Sequence, residues 1–406
     1  MTSSSPPPTP AAPPAPLHFA LLGSRGIPGR YGGYETLMEE LAIRLVAAGF
    51  RVTVYCRRHV TPPGLRSYRG VELVVLPTLR TKYLDTPVHT LLSCLHALGH
   101  QLRARLRGAA AEGYQAALLV NSANAIFVPL LRLAGIPTAL HVDGIEKRRA
   151  KWGPFGRLVY ALSERLACVL PTALVTDAEV IREHYLQRYG ADSVSIAYGV
   201  EPEVPEVPEV LPRLGLEPRR YFLYVSRFEP ENNPHRVAEA YRQVGGDLPL
   251  AMVGGAPYAR SFIRSFTTDA DPRILLPGPI YGAGYRELLA NALAYVHATE
   301  VGGTHPALVE AMGYGCCVVV NDTPENREVA GEAGLYFRAA APETLAAHLE
   351  HLRQHPEEAL ERGQAAASRA RELYSWPRVC TQYSRLLTQL ADACSPAGAE
   401  EERDRE

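Results

Sequence analysis

Short apolar runs alternating with helix-like segments, twice over along the chain, constrain this sequence more than any other feature. Leu17–Leu22 is one such run. It ends in a glycine-rich loop and is followed by Glu35–Ala48 at helical spacing, by Gly49 as a stop and by a second run, Arg51–Tyr55. Runs at Val71–Leu76, Ala116–Val120, Ala139–Val142 and Ala173–Thr176 continue the pattern. Parallel strands demand it, since each is joined to the next by a crossover long enough to hold a helix. Between Gly199 and Pro218 the chain turns Pro- and Glu-rich, which suits an extended linker or a short surface loop. The alternation then resumes at Tyr221–Val225, Leu250–Val253, Ile274–Leu276, Ala294–His297 and Cys317–Val320.

The expected fold class is therefore α/β, with two Rossmann-like doubly wound domains and a cleft between them. A length of 406 residues is more than one core usually serves. The expected division is a disordered tail at 1–16, a first domain at 17–199, a linker at 200–218, a second domain at 219–375, a last amphipathic helix at 376–394 and a charged tail at 395–406. The first tail has neither a basic start nor an apolar run, so it does not read as a signal peptide. The longest apolar region, Tyr114 to Leu140, is broken by Asn121, Asn124, Arg132 and Pro137, and no membrane span is expected. With 42 basic against 43 acidic residues, nothing global attracts nucleic acid. Seven cysteines scattered without metal-ligand spacing suit reduced thiols in the cytoplasm, and no metal or cofactor is expected.

The loop Gly23-Ser-Arg-Gly-Ile-Pro-Gly-Arg-Tyr-Gly-Gly-Tyr-Glu35 holds more glycine than a turn needs. It lies where backbone amides and the helix dipole can hold an anion, with Gly32 and Gly33 letting a phosphate approach the main chain. Its spacing is not that of a dinucleotide fingerprint. The second strand also ends in Cys56-Arg57-Arg58 instead of an acid for a ribose, which argues against NAD. Gly302-Gly303-Thr304, ahead of a helix starting near Pro306, is a second candidate anion site. His141 and Asp143 fall on one face of a strand end. Lys147, Arg148, Arg149 and Lys151 form a basic cluster, read either as a contact for an acceptor diphosphate or as a solvated helix face.

The glycine loop, Val142-Asp-Gly-Ile-Glu with Lys151-Trp152, Arg227-Phe-Glu-Pro-Glu-Asn-Asn233 and Glu300-Val-Gly-Gly-Thr-His-Pro-Ala-Leu-Val-Glu310 stand in one order along the chain. Together they resemble the family 4 retaining glycosyltransferases, and among these the rhamnosyltransferases of bacterial surface-polysaccharide assembly. The resemblance runs from Leu17 to Leu390. It implies a GT-B fold, a nucleotide diphosphate sugar donor (dTDP-L-rhamnose, or a UDP-hexose) held by the second domain, and a glycan or lipid-diphosphate-linked acceptor held by the first. A cytoplasmic enzyme, peripheral at the inner membrane face, fits such an acceptor.

By the same resemblance Arg227 clamps the donor diphosphate, and the family's Lys five residues on is Asn232 here. Arg30 from the glycine loop is the candidate to complete the clamp. Glu310 accepts from a ribose hydroxyl. Glu300 stands as a sugar ligand or as a solvated carboxylate, because the family's two glutamates are separated by seven residues and these by nine. The family's catalytic His register falls on Asp143, the favoured polar group near the reacting carbon, with His141 second. Tyr281 is a candidate to stack on the base, and Trp376 reads as structural. Retention implies same-face attack with no metal, the leaving phosphate helping to deprotonate the acceptor. Other classes remain: a nucleotide-sugar epimerase of similar fold, an NADP oxidoreductase, and a protein that binds the donor without turning it over.

Overall fold

The computed structural model describes residues 15–29, 32–81, 83–149, 153–203, 207, 209–256, 260–267 and 271–393. Arg30, Lys151, Trp152, most of both tails and part of the linker lie outside the described residues.

Strands β1 (His18–Leu22), β2 (Arg51–Arg57), β3 (Ser67–Tyr68), β4 (Val71–Leu76), β5 (Ala116–Val120), β6 (Thr138–Val142), β7 (Ala173–Thr176) and β8 (Val194–Ser195) form one sheet in the order β3-β4-β2-β1-β5-β6-β7-β8. Neighbours are parallel except β3 with β4. Phe19 stands beside Val52 on one side and Ala116 on the other. Helix α1 (Gly33–Ala47) and the last helix, Trp376–Ala393, cover one face. Helices α2 (Asp85–Leu106), α3 (Val128–Leu133), α4 (Pro154–Val169) and α5 (Glu179–Tyr189) cover the other. Strands buried on both faces read as unbroken apolar runs, which is why β5 and β7 begin and end where the sequence predicts; β4 does so too, although the exposed Glu72 interrupts its run.

The second sheet holds β9 (Phe222–Ser226), β10 (Leu250–Gly254), β11 (Ile274–Gly278), β12 (Ala294–His297), β13 (Cys317–Asn321) and β14 (Leu335–Phe337), in the order β11-β10-β9-β12-β13-β14 and parallel throughout. The architecture is thus α/β with two Rossmann-like domains, the class expected. The edge strands β3, β8 and β14 escaped the sequence reading, being too short to register as runs. In each sheet the strand order reverses beside the first strand, and ligands in such folds bind beyond the carboxyl ends of the strands at that point.

The Pro- and Glu-rich segment is not extended throughout, because Val210–Leu214 is helical. The buried Glu287 carboxylate accepts the N–H groups of Glu209, Val210 and Leu211 at 2.8–3.0 Å, meeting donors that the helix itself leaves open. Trp376, Val379, Tyr383 and Leu387 of the last helix are buried in the core of the first sheet. Across the cleft, Glu328 of the helix Pro324–Ala330 accepts from the N–H groups of Glu179 (2.7 Å) and Val180 (2.9 Å) at the start of α5. No helix among the described residues is long and apolar enough to cross a membrane.

Candidate functional site

Between the two sheets lie two cavities of about 490 Å³ and about 190 Å³, which share Gly33, Val225, Pro306 and Ala307 in their walls. From the first domain the larger takes Gly32, Thr36, Glu39 and Glu40, and from the second Tyr281, Tyr285, Glu310 and Tyr314. The smaller is lined by Asp143, Arg149 and Asp177 on one side and by Arg227, Asn232, His297, Gly302, Gly303 and Thr304 on the other.

The glycine loop divides its labour. A Cβ at Gly26 would fall 2.6 Å from Cys56 Sγ, and one at Gly23 would fall 2.6 Å from the Val120 carbonyl, so these two let the loop pack on the strands. Gly32 caps α1 without a side chain, leaving first-turn amides open toward the larger cavity. Carboxylates then fix the loop. Glu35 accepts from the Arg25 N–H at 3.0 Å and Glu39 from the Gly29 N–H at 2.5 Å. Glu40 in the same wall is paired with Arg44.

The helix Pro306–Gly313 opens on both cavities. His305 at its cap makes no side-chain hydrogen bond there; Pro306 has no N–H and the Leu308 and Val309 N–H groups return to the His305 carbonyl, so the Ala307 N–H is the donor left at this amino end among the described residues. One turn on, Glu310 faces the larger cavity and accepts from Tyr285 Oη at 2.7 Å. Burial pushes its carboxyl up to about 7, against the pull of that hydrogen bond.

Charge crowds the smaller cavity. The Arg227 side chain is 45 % exposed and 3.8 Å from Glu229, a loose pairing that leaves its fork available. Asn232 Nδ2 donates to the Arg227 carbonyl at 2.7 Å, so this amide props the backbone of the arginine. Asp143 accepts from Tyr34 Oη at 2.5 Å. Burial and the Glu146 charge raise it to about 6, against Arg149 and Tyr34. Asp177 is 1 % exposed and neither of its carboxylate oxygens has a hydrogen-bond partner among the described residues; burial first, and Asp143 second, push it well above its ordinary value. Burial alone would lower Arg149, yet Glu146, Asp143, Glu231 and Glu229 hold it charged.

Of the residues singled out in the sequence, the cavities bring together Gly32, Gly33, Asp143, Arg227, Asn232, Gly302, Gly303, Thr304 and Glu310, with Tyr281 on the rim. Two are kept apart. His141 is 1 % exposed, its Nδ1 lies 2.5 Å from Tyr383 Oη, and its ring is enclosed by Tyr34, Tyr198 and Tyr383, so it lines neither cavity. Glu300 is exposed and accepts from Asn233 Nδ2 at 3.0 Å, outside both walls. Lys147 is bound to Glu164 at 2.6 Å.

Asp177 is the residue sequence reasoning missed. Placed just before α5 it looks like a helix cap, but Glu328 from the other domain takes those amides and leaves Asp177 aimed at the cleft. Its place at the carboxyl end of β7 was the available signal.

Residues 32–198 match the model of the glycosyl transferase 4-like domain, and residues 219–355 match that of glycosyl transferases group 1. No curated protein sequence matches significantly. Among solved structures, sucrose-phosphate synthase from Thermosynechococcus elongatus is similar with a TM-score of 0.76 at 17 % identity, covering 93 % of this chain and 100 % of that one. HepE from Anabaena, in complex with UDP and glucose, is similar with a TM-score of 0.71 at 14 % identity, covering 92 % of this chain and 99 % of that one. A glycosyltransferase from Rickettsia africae follows with a TM-score of 0.67 at 12 % identity, covering 92 % and 98 %.

Proposed function

Because this chain is a glycosyltransferase of the GT-B type, a glycosyl transferase 4-like domain followed by a glycosyl transferases group 1 domain, we propose that it moves a sugar from a nucleotide diphosphate to an acceptor with retention and without a metal ion. The observation that carries this reading is the convergence on one cleft of Glu310, the free amino end of its helix and Arg227. Ribose hydroxyls donate to Glu310. The diphosphate rests on the amides of Gly302, Gly303 and Thr304 and takes the Arg227 fork, while Gly32 and Gly33 close over it from the other side. Residues 219–375 then serve the donor, residues 17–199 the acceptor, and 376–394 tie the two.

As the bond to the anomeric carbon breaks, its electrons pass to the leaving phosphate oxygen. Donors preorganised for that charge contribute roughly 3–4 kcal/mol each. The same oxygen takes the proton of the attacking hydroxyl on that face. Asp143, raised to about 6, is mostly ionised at neutral pH and accepts a hydrogen bond from the acceptor, whereas Asp177, raised well above its ordinary value by burial, faces the sugar.

The likeness of the motifs to rhamnosyltransferases of surface-polysaccharide synthesis favours dTDP-L-rhamnose as donor and a lipid-diphosphate-linked sugar as acceptor. A UDP-hexose stands second, supported by HepE, whose structures hold UDP-glucose. The test is to incubate the purified protein with a panel of sugar nucleotides and lipid-diphosphate acceptors, following acceptor mass and nucleotide release. A gain of one deoxyhexose from dTDP-rhamnose supports the reading. Donor binding without product across the panel points to a binding protein, and an altered sugar nucleotide points to an epimerase.

Glu310 also makes donor binding pH-dependent. The ribose needs the carboxylate, and the empty site protonates at about 7, so the donor KM rises as pH falls through 7 and Glu310→Gln flattens the profile. Stability runs the other way. A carboxyl whose folded pKa lies above its ordinary 4.5 stabilises the fold at acid pH and loses that contribution as pH climbs through 7. Glu310→Gln is therefore expected to gain about 1–3 kcal/mol over the native enzyme at pH 8, measured by denaturant unfolding, while losing transfer.

A further inference from the structure

Two helices of the first domain carry their apolar faces outward. On α4, Phe155, Leu158, Val159, Leu162 and Val169 are 41–79 % exposed, whereas Ser163, Glu164 and Ala167 point inward and are buried. These exposed positions follow helical spacing, so they form one stripe. On α2 the exposed leucines are Leu91, Leu95, Leu102 and Leu106, spaced four, seven and four apart, again one stripe. Both helices belong to the layer that buries its other side on a single sheet face, and Ile126 and Leu133, at 58 % and 72 % exposure, lie between them in sequence on the same layer.

The polar residues in this layer are equally selective. Every exposed residue on α2, α3 and α4 is aliphatic, aromatic, proline or arginine; the arginines are Arg103, Arg105, Arg132, Arg157 and Arg165. The acids of these helices, Asp85 and Glu164, are tied to Arg57 and Lys147. Neighbouring α5, by contrast, exposes Glu179, Glu183, Gln187 and Arg188 with one leucine, Leu186, a mixed solvated face.

We propose that the outer face of the α2–α4 layer docks this enzyme on a bilayer rich in anionic lipid. The exposed residues of this face offer apolar side chains and arginine donors and no acidic side chain, which complements lipid phosphates over an acyl interior. A second copy of the chain fits worse, since a symmetric pairing would set arginines against arginines with no acid between them. The position suits the site. Pro154 starts α4 five residues after Arg149 in the cleft wall, a span of at most about 18 Å of chain. The purpose rests on the lipid-linked acceptor proposed above, but the surface and its test do not require transfer.

The experiment is flotation of the full-length protein with extruded vesicles, either of phosphatidylcholine alone or of phosphatidylcholine with phosphatidylglycerol. The native protein is expected to float with the anionic vesicles, less so as salt is raised. Phe155→Gln/Leu158→Gln/Leu162→Gln is expected to lower the partition coefficient at least about tenfold, with an unchanged melting temperature because these side chains are already in water. Arg157→Glu/Arg165→Glu is expected to abolish the preference for phosphatidylglycerol. Native protein that stays at the bottom of the gradient, or a triple variant that floats like it, overturns the proposal. A dimer in light scattering that the triple variant makes monomeric, without flotation, overturns it in favour of an interface between copies. Absence of sugar transfer in the donor panel leaves these outcomes untouched.

Discussion

Replacing Arg227 by alanine is expected to lower kcat/KM for sugar transfer by about 10²–10³-fold, the range seen when one preorganised donor to a developing anion is removed. The loss should appear in kcat more than in the donor KM, since the guanidinium serves a charge that is largest as the phosphate leaves. Folding should be nearly unaffected: the side chain is 45 % exposed and its one acidic neighbour, Glu229, stands 3.8 Å away. Denaturant unfolding of the variant should therefore agree with the native protein within about 0.5 kcal/mol. Arg227→Lys keeps the charge but not the planar fork, and partial recovery is expected. Native kcat/KM in Arg227→Ala would mean that the diphosphate lies elsewhere in the cleft. Asn232→Lys gives a second view of the same clamp. The Asn232 amide supports the Arg227 carbonyl at 2.7 Å, so restoring the family's lysine here removes a brace as it adds a charge.

The parts of this molecule that the sequence made legible are those decided by local pattern. Central parallel strands must be apolar on both faces, so the run at Ala116–Val120, buried along its whole length, could be read directly. Gly49 stops α1 where predicted, at a φ of +93°, with the Phe50 N–H returning to the Leu45 carbonyl at 3.1 Å. What long-range packing decides was hidden. His141 and Asp143 share a strand face in sequence, but Tyr383 from the last helix reaches His141, and only Asp143 enters the cleft. Asp177 drew no notice in the sequence, because Glu328, which takes the first amides of α5 in its place, lies far along the chain. The outward stripe on α4 was illegible for a related reason. Amphipathic spacing tells which residues share a face, and only the fold tells that this face looks away from the core.

The second large effect is expected where the domains meet, at glycines of the two loops that face each other there. A Cβ at Gly303 would stand 2.0 Å from Asp177 Oδ1 and 2.5 Å from its Cγ, distances that real atoms do not tolerate. Asp177 cannot swing clear cheaply, being 1 % exposed with its own carbonyl accepting from Thr304 Oγ1. At Gly144 the φ of +75° disfavours any side chain, and a Cβ would come within 2.8 Å of Gly302 Cα. Gly303→Ala should therefore push the two loops apart and leave each domain's own core intact. Displacement by an ångström of groups that must meet in a transition state costs on the order of 10²-fold in rate, and that is the loss expected in kcat/KM. Donor affinity, measured by calorimetry, should change less, because Glu310 and Arg227, the proposed ribose and diphosphate contacts on the second domain, stay where they are. Gly153→Ala is the control, with nothing within 4 Å of its added methyl and no activity change expected. If Gly303→Ala turned over at the native rate, the close approach of these loops would not be the arrangement in which the sugar is transferred, and Asp177 would lose its proposed place beside the donor.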